Sequence, residues 1–161
     1  MFHKFALAIA AAVLVAGTIA TPASATDRHE GYYYPEVGSR EVYTARAQTL
    51  ATSDRSTRIA FVTQLTLSQA SSPYPPEYAV FAKGGEGQKL VITALNDEVF
   101  ATLFRARGVM AQMSAFARTT EFFTEYGVED LFTFYDLLKL LGFEQVTITD
   151  GSTWAHQITI E

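Results

Sequence analysis

Two histidines beyond the first few residues, His29 and His156, are the main candidates for proton transfer or metal ligation, and no cysteine accompanies them. The absence of Cys removes thiolate nucleophiles, thiolate zinc ligands, disulfides and covalently attached haem from consideration. Two imidazoles are too few for a metal centre built mainly of histidine, and no cofactor is expected. His156 follows Trp154 by two residues and shares a strand face with Ile158 and Ile160, the usual setting of a hydrogen-bonded core histidine. The competing reading brings Asp27, His29 and Glu30 from an N-terminal arm onto Trp154 and His156, forming a small ligand or metal pocket at a sheet edge.

A second candidate is Lys83-Gly84-Gly85-Glu86-Gly87-Gln88-Lys89, where free backbone N–H groups between two lysines could cradle an anion. A phosphate loop leads from a strand into a helix, however, and this one leads into another strand, as a plain hairpin loop does. Ser53, Ser56, Ser68 and Ser114 lie in no Gly-x-Ser-x-Gly elbow and form no Ser-x-x-Lys pair. Asp97-Glu98 and Glu129-Asp130 fall at expected helix starts, where capping accounts for them. Arg105, Arg107, Arg118 and Lys139 could gather into an anion site or simply form solvated helix faces. Tyr32-Tyr33-Tyr34-Pro35 and Pro73-Tyr74-Pro75-Pro76 carry rings on stiff backbone, suited to a contact surface or to a lid over the sheet.

The elements that must position these groups are read from periodicity. Residues 26–56 read as a Tyr-rich extended arm with a short strand or turn near Val42. Ile59, Phe61, Leu65 and Leu67 alternate with Arg58, Gln64 and Thr66, which predicts a strand over Thr57 to Leu67. Ser71 to Pro76 is a connection, and Tyr78 to Ala82 and Lys89 to Leu95 form a hairpin of two strands that are apolar on both faces and therefore central. Asn96 and Asp97 cap a helix whose stripe of Val99, Phe100, Leu103, Phe104, Met110, Met113 and Ala117 runs to about Ala117. A short turn of helix stops at Gly127. A second helix opens at Glu129-Asp130, buries Leu131, Tyr135, Leu138 and Leu141, and ends at a left-handed Gly142. A three-residue loop, Thr149-Asp150-Gly151, then places Val146, Ile148 and the apolar residues of the last strand on one face.

These elements predict an α+β domain over residues 57–161: an antiparallel sheet of about five strands with two main helices packed on one face. Ahead of it, Lys4, the apolar run Phe5 to Ala20 and Ala23-Ser24-Ala25 have the form of a cleavable secretory leader, residues 1–25, cut after Ala25. The predicted location is the periplasm or outside the cell, with no stable membrane insertion after cleavage. The chain carries 12 basic and 17 acidic side chains, a net charge of −5, and loss of Lys4 makes the product more negative. Such a balance repels phosphate backbones, so nucleic acid is not an expected partner.

Asp27-Arg28-His29-Glu30-Gly31-Tyr32-Tyr33-Tyr34-Pro35, Pro73-Tyr74-Pro75-Pro76 before Phe81-Ala82-Lys83-Gly84, Ala117-Arg118-Thr119-Thr120, Leu131-Phe132-Thr133-Phe134 with Leu140-Leu141-Gly142-Phe143, and Asp150-Gly151 before Thr153-Trp154-Ala155-His156 carry a resemblance. Over nearly all of the mature chain they resemble a family of small exported bacterial proteins often described as molybdopterin-guanine dinucleotide biosynthesis protein A. That description implies a nucleotidyltransferase, whose Leu-Ala-Gly-Gly-type loop and Arg-Met-Gly run do not occur here. The residues themselves favour an exported binding or accessory module that meets a protein partner through His29, Glu30, Tyr32, Tyr33, Tyr34, Tyr74, Trp154 and His156. The alternative is an enzyme, nucleotidyltransferase or hydrolase, working at Lys83, Gly84, Gly85, Gly87 and Lys89 or at His156.

Overall fold

The computed structural model describes residues 34–96, 98–100 and 102–161. Residues 1–25, read from the sequence as a leader, and Asp27, His29, Glu30, Tyr32 and Tyr33 lie outside them. The chain order is β1 (Val37–Tyr43), α1 (Arg55–Ala70), β2 (Tyr78–Lys83), β3 (Lys89–Ala94), α2 (Leu103–Arg118), α3 (Glu121–Tyr126), α4 (Phe134–Leu140), β4 (Gln145–Thr149) and β5 (Ala155–Ile160). The class is α+β with one five-stranded sheet, ordered β1-β5-β4-β3-β2. The sheet is mixed: β1 runs parallel to β5 and β3 parallel to β4, while β2–β3 and β4–β5 are antiparallel. This corrects the wholly antiparallel expectation. The three helices between β3 and β4 are long enough to carry the chain back to the other end of the sheet, which a parallel neighbour requires.

The sheet residues that enter the core, Val80, Leu90, Ile92, Val146, Ile148, Ile158 and Ile160, alternate along their strands and so share one face. Against it pack Ala106, Val109, Met110, Met113 and Ala117 of α2, Phe123 of α3, Phe134, Leu137, Leu138 and Leu140 of α4, and Phe143. β2 is an edge strand, so its apolar character does not mark a central position. β1 lies within the stretch read as an arm, and forms the opposite edge.

The expected strand over Thr57 to Leu67 is instead helix α1. Asp54 Oδ1 accepts from Thr57 N–H at 2.8 Å and from Thr57 Oγ1 at 2.9 Å, the N-cap that starts it. Arg58, Phe61, Val62 and Leu65, spaced at steps of three and four, turn inward, whereas Ile59 and Leu67 stay exposed. Both periods fit the same run of letters, and the helical stripe wins because Phe61 finds the rings of Phe134 and Phe143 at 6.3 and 6.1 Å. Buried Arg58 ties the elements together: its Nε donates to Glu86 O at 2.9 Å, in the β2–β3 loop.

Helix starts also move. Asn96 Oδ1 accepts from the N–H groups of Glu98 and Val99, closing a turn, and the N-cap of α2, Thr102, stands six residues later. Phe104, placed on the buried stripe by the sequence, is 86% exposed. α4 opens not at Glu129-Asp130 but behind Thr133, whose N–H and hydroxyl donate to Asp136 in a capping box. Leu131 is consequently exposed. Gly127 and Gly142 stand at φ of 61° and 78° after their helices, as left-handed stops.

The last hairpin pairs Val146 with Ile158 and Thr149 with Ala155, leaving a loop from Asp150 to Trp154. It is two residues longer than expected. Asp150 Oδ1 accepts from the N–H groups of Ser152, Thr153 and Trp154, and its Oδ2 from the Thr153 hydroxyl. That acceptor role makes a wider loop stable. The register slips by whole strand periods, so Val146, Ile148, His156 and Ile158 still share a face.

Candidate functional site

β1 and β5 lie side by side, with Ser39 beside His156, Glu41 beside Ile158 and Tyr43 beside Ile160. Ser39, Glu41 and Tyr43 alternate along β1 and so share the helix-covered face, where Ser39 and Glu41 meet His156. His156 is 3% exposed; the Ser39 hydroxyl lies 2.7 Å from its Nδ1. Glu41 Oε1 stands 3.1 Å from Nε2, at ion-pair distance but obliquely, so Nε2 has no aligned hydrogen bond. The other carboxylate oxygen of Glu41 takes Arg107 from α2 at 3.0 Å. Burial works to raise the Glu41 carboxyl, but His156 and Arg107 outweigh it and hold it below the usual range. A shallow cavity of about 280 Å³ opens beside this row, lined by Glu41, Tyr43, Arg107, Met110, Ser114 and Tyr135 among others.

Tyr43 continues the network inward. Its hydroxyl donates to Asp136 Oδ2 at 2.9 Å, while Arg46 N–H donates to Oδ1 at 2.7 Å. Thr133 supplies the capping-box donors already described, so fully buried Asp136 fastens the chain after β1 to the start of α4. Its carboxyl, pushed up by burial, is held low overall by these donors. Sequence reasoning missed Ser39, Glu41, Tyr43, Arg107 and Asp136 as partners. Two signals were present: the polar alternation of Ser39 and Glu41, and the Thr133-x-x-Asp136 spacing.

A different grouping forms at one end of the sheet. β1, β2 and β5 all run in one direction and β3 and β4 in the other, so Tyr34-Pro35, Tyr74 to Pro76, Trp154 and Leu95 all lie at the same end. An aromatic row crosses it: Trp154 meets Phe100 edge to face at 6.5 Å, Phe100 meets Tyr78 at 6.5 Å, and the Trp154 indole donates to Phe100 O at 2.9 Å. Around the row exposed apolar side chains stand among polar ones. Tyr74 is 77% exposed, and Leu67 and Leu95 are exposed with Phe104. Two cavities open there, one of about 220 Å³ against β2 lined by Gln69, Pro76, Tyr78 and Leu95 among others. The larger, about 420 Å³, is lined by Glu77, Asn96, Glu98, Phe104 and Arg105 among others.

Of the residues assigned to a partner surface, Tyr74 is thus exposed, Tyr34 and Trp154 are half-buried, and His156 is buried among polar neighbours. In the glycine loop, Gly87 N–H donates to Gly84 O and Glu86 N–H to Gln88 Oε1, so these donors are taken up internally. Lys83 and Lys89 close the loop as a cross-strand pair, and Gly84, like Gly87, has positive φ. The cations do not converge: Arg105 donates to Glu98 O, Arg107 pairs with Glu41 and Lys139 lies near Ile160 O. Among the described residues, no group of three or more His, Asp or Glu could hold a metal ion, and no helix is long and apolar enough to cross a membrane. No family model, curated protein or solved structure matches the chain.

Proposed function

We propose that this chain is an exported binding or accessory protein, freed of its leader after Ala25, that meets a protein partner at the end of the sheet where the two Tyr/Pro runs enter. The observation that carries this reading is the exposure of Leu95 and Phe104 in the walls of two cavities at that end, with exposed Tyr74 on the connection that leads into β2. Exposed aromatic and apolar side chains grouped beside open cavities are the usual anchors of protein contacts. Among the described residues β2 is an edge strand, the kind of element to which a partner segment adds. The resemblance to small exported proteins accords with this, since it brings a leader but not the loop of a guanylyltransferase.

A double variant, Tyr74→Ser with Phe104→Ser, tests it. Both side chains are solvent-exposed, so unfolding stability shifts by less than about 0.5 kcal/mol per site. Affinity for the partner recovered with the wild-type protein falls about 30-fold or more, as loss of a central anchor does. Unchanged affinity, measured by titration of the purified pair, contradicts the assignment.

A further inference from the structure

We propose that Ser39, His156 and Glu41 form a nucleophilic site that acylates and deacylates Ser39 with small carboxylic esters. The site lies on the β1–β5 side of the sheet, at the opposite edge from β2, and stands on its own geometry rather than on the partner reading. Ser39 is exposed on an edge strand, while the imidazole it touches is buried. A buried ring between a hydroxyl and a carboxylate is the arrangement that activates a serine. The ring nitrogens are used in the opposite sense to the familiar hydrolases: the hydroxyl meets Nδ1 and the carboxylate stands by Nε2. The chemistry is the same. Glu41 favours the tautomer with its proton on Nε2, leaving the Nδ1 lone pair facing the Ser39 hydroxyl. The oblique Glu41 contact, 3.1 Å long, is of the loose kind that tightens when substrate is bound.

The backbone beside the nucleophile is open. β1 shifts register between Val37 and Ser39, so Gly38 has no ladder partner on β5, and nothing stands within 4 Å of where a Cβ on Gly38 would lie. A carbonyl oxygen can approach there.

In the first step the Ser39 Oγ–H proton passes to Nδ1 as Oγ bonds to the ester carbon. The carbon–alkoxide bond then breaks and the alkoxide leaves with the proton from Nδ1. Water repeats the sequence: it gives a proton to Nδ1, its oxygen bonds to the acyl carbon, and Ser39 departs with that proton. Ester and water are consumed, and acid and alcohol are formed. Ser39 and His156 are the catalytic residues; Glu41 is a positioning residue.

A fluorophosphonate tests the site, since Oγ–P forms as P–F breaks and the intact mass rises by one phosphonyl group. We expect one adduct, mapped by peptide sequencing to Ser39, and none in Ser39→Ala. His156→Gln, with its fold checked by circular dichroism, labels slower by a factor of about 10²–10⁴, and its residual rate follows hydroxide alone. Glu41→Gln, at a half-exposed position, labels about tenfold slower and Glu41→Asp recovers part of the rate. An adduct elsewhere, no adduct, or wild-type labelling rates in Glu41→Gln overturn the proposal. These outcomes hold even where His156→Gln fails to fold.

Discussion

Asp136→Ala lowers the free energy of unfolding by about 3–5 kcal/mol, the cost of leaving several buried donors without their shared acceptor. The carboxylate is fully buried and accepts from Tyr43 Oη, Arg46 N–H, Thr133 N–H and the Thr133 hydroxyl. Alanine leaves donors stranded on two segments distant in sequence, so it loosens the exit of β1 and the first turn of α4 together. In a domain of this size the midpoint of thermal unfolding falls by about 10–20 °C. Asp136→Asn keeps one carbonyl oxygen and falls between. The same carboxylate fixes the acid limb. Its pKa is lowered in the folded protein, so its contribution is complete above the unfolded value of about 4 and is lost as pH drops through the still lower folded value. Asp150, brought down to about 2 by donors in the β4–β5 loop that outweigh its burial, acts in the same window. Stability of the wild type therefore declines from about pH 4 towards pH 2, and the gap to Asp136→Ala narrows there. A circular dichroism melting series across this range checks both the size and the direction.

Phe100→Ala is the second large effect. Phe100 is fully buried between Tyr78 and Trp154, in the turn that precedes α2. Deleting a buried ring costs about 3–5 kcal/mol through lost transfer energy and the cavity it leaves. Trp154 is the chain's one tryptophan, so its fluorescence reads the change directly. With its aromatic neighbour gone, the indole gains water and its emission moves to longer wavelength before global unfolding. Emission and denaturation midpoint unchanged from wild type would mean that Phe100 does not brace this end of the sheet.

What the letters revealed and concealed follows from the range of the interactions involved. Local chemistry was legible: the β2–β3 hairpin around its glycines, the end of α3 at Gly127, the stop at Gly142, and the shared face of Val146, Ile148 and Ile158. Segments whose state depends on distant packing were not. Ile59, Phe61, Leu65 and Leu67 fit a period of two as well as Arg58, Phe61, Val62 and Leu65 fit a helix, and only the rings of Phe134 and Phe143 decide between them. The Asp54 cap was the one local cue for the helix. Parallel pairing of β1 with β5 joins residues more than a hundred positions apart, and no turn chemistry announces it. The candidate site shares that origin: Ser39 and Glu41 meet His156 only through this pairing, whereas Tyr74 is exposed on its own proline-bound connection.

The most direct measurement of the proposed partner surface is site-specific photo-crosslinking in the native cell, with a benzophenone side chain placed at position 104, 74 or 95 and, as control, at exposed Val42 on the far half of β1. The three positions at the Tyr/Pro end each give one discrete adduct with the same protein, and position 42 gives none. Adducts of equal yield at position 42, or none at positions 104, 74 and 95, would contradict the account.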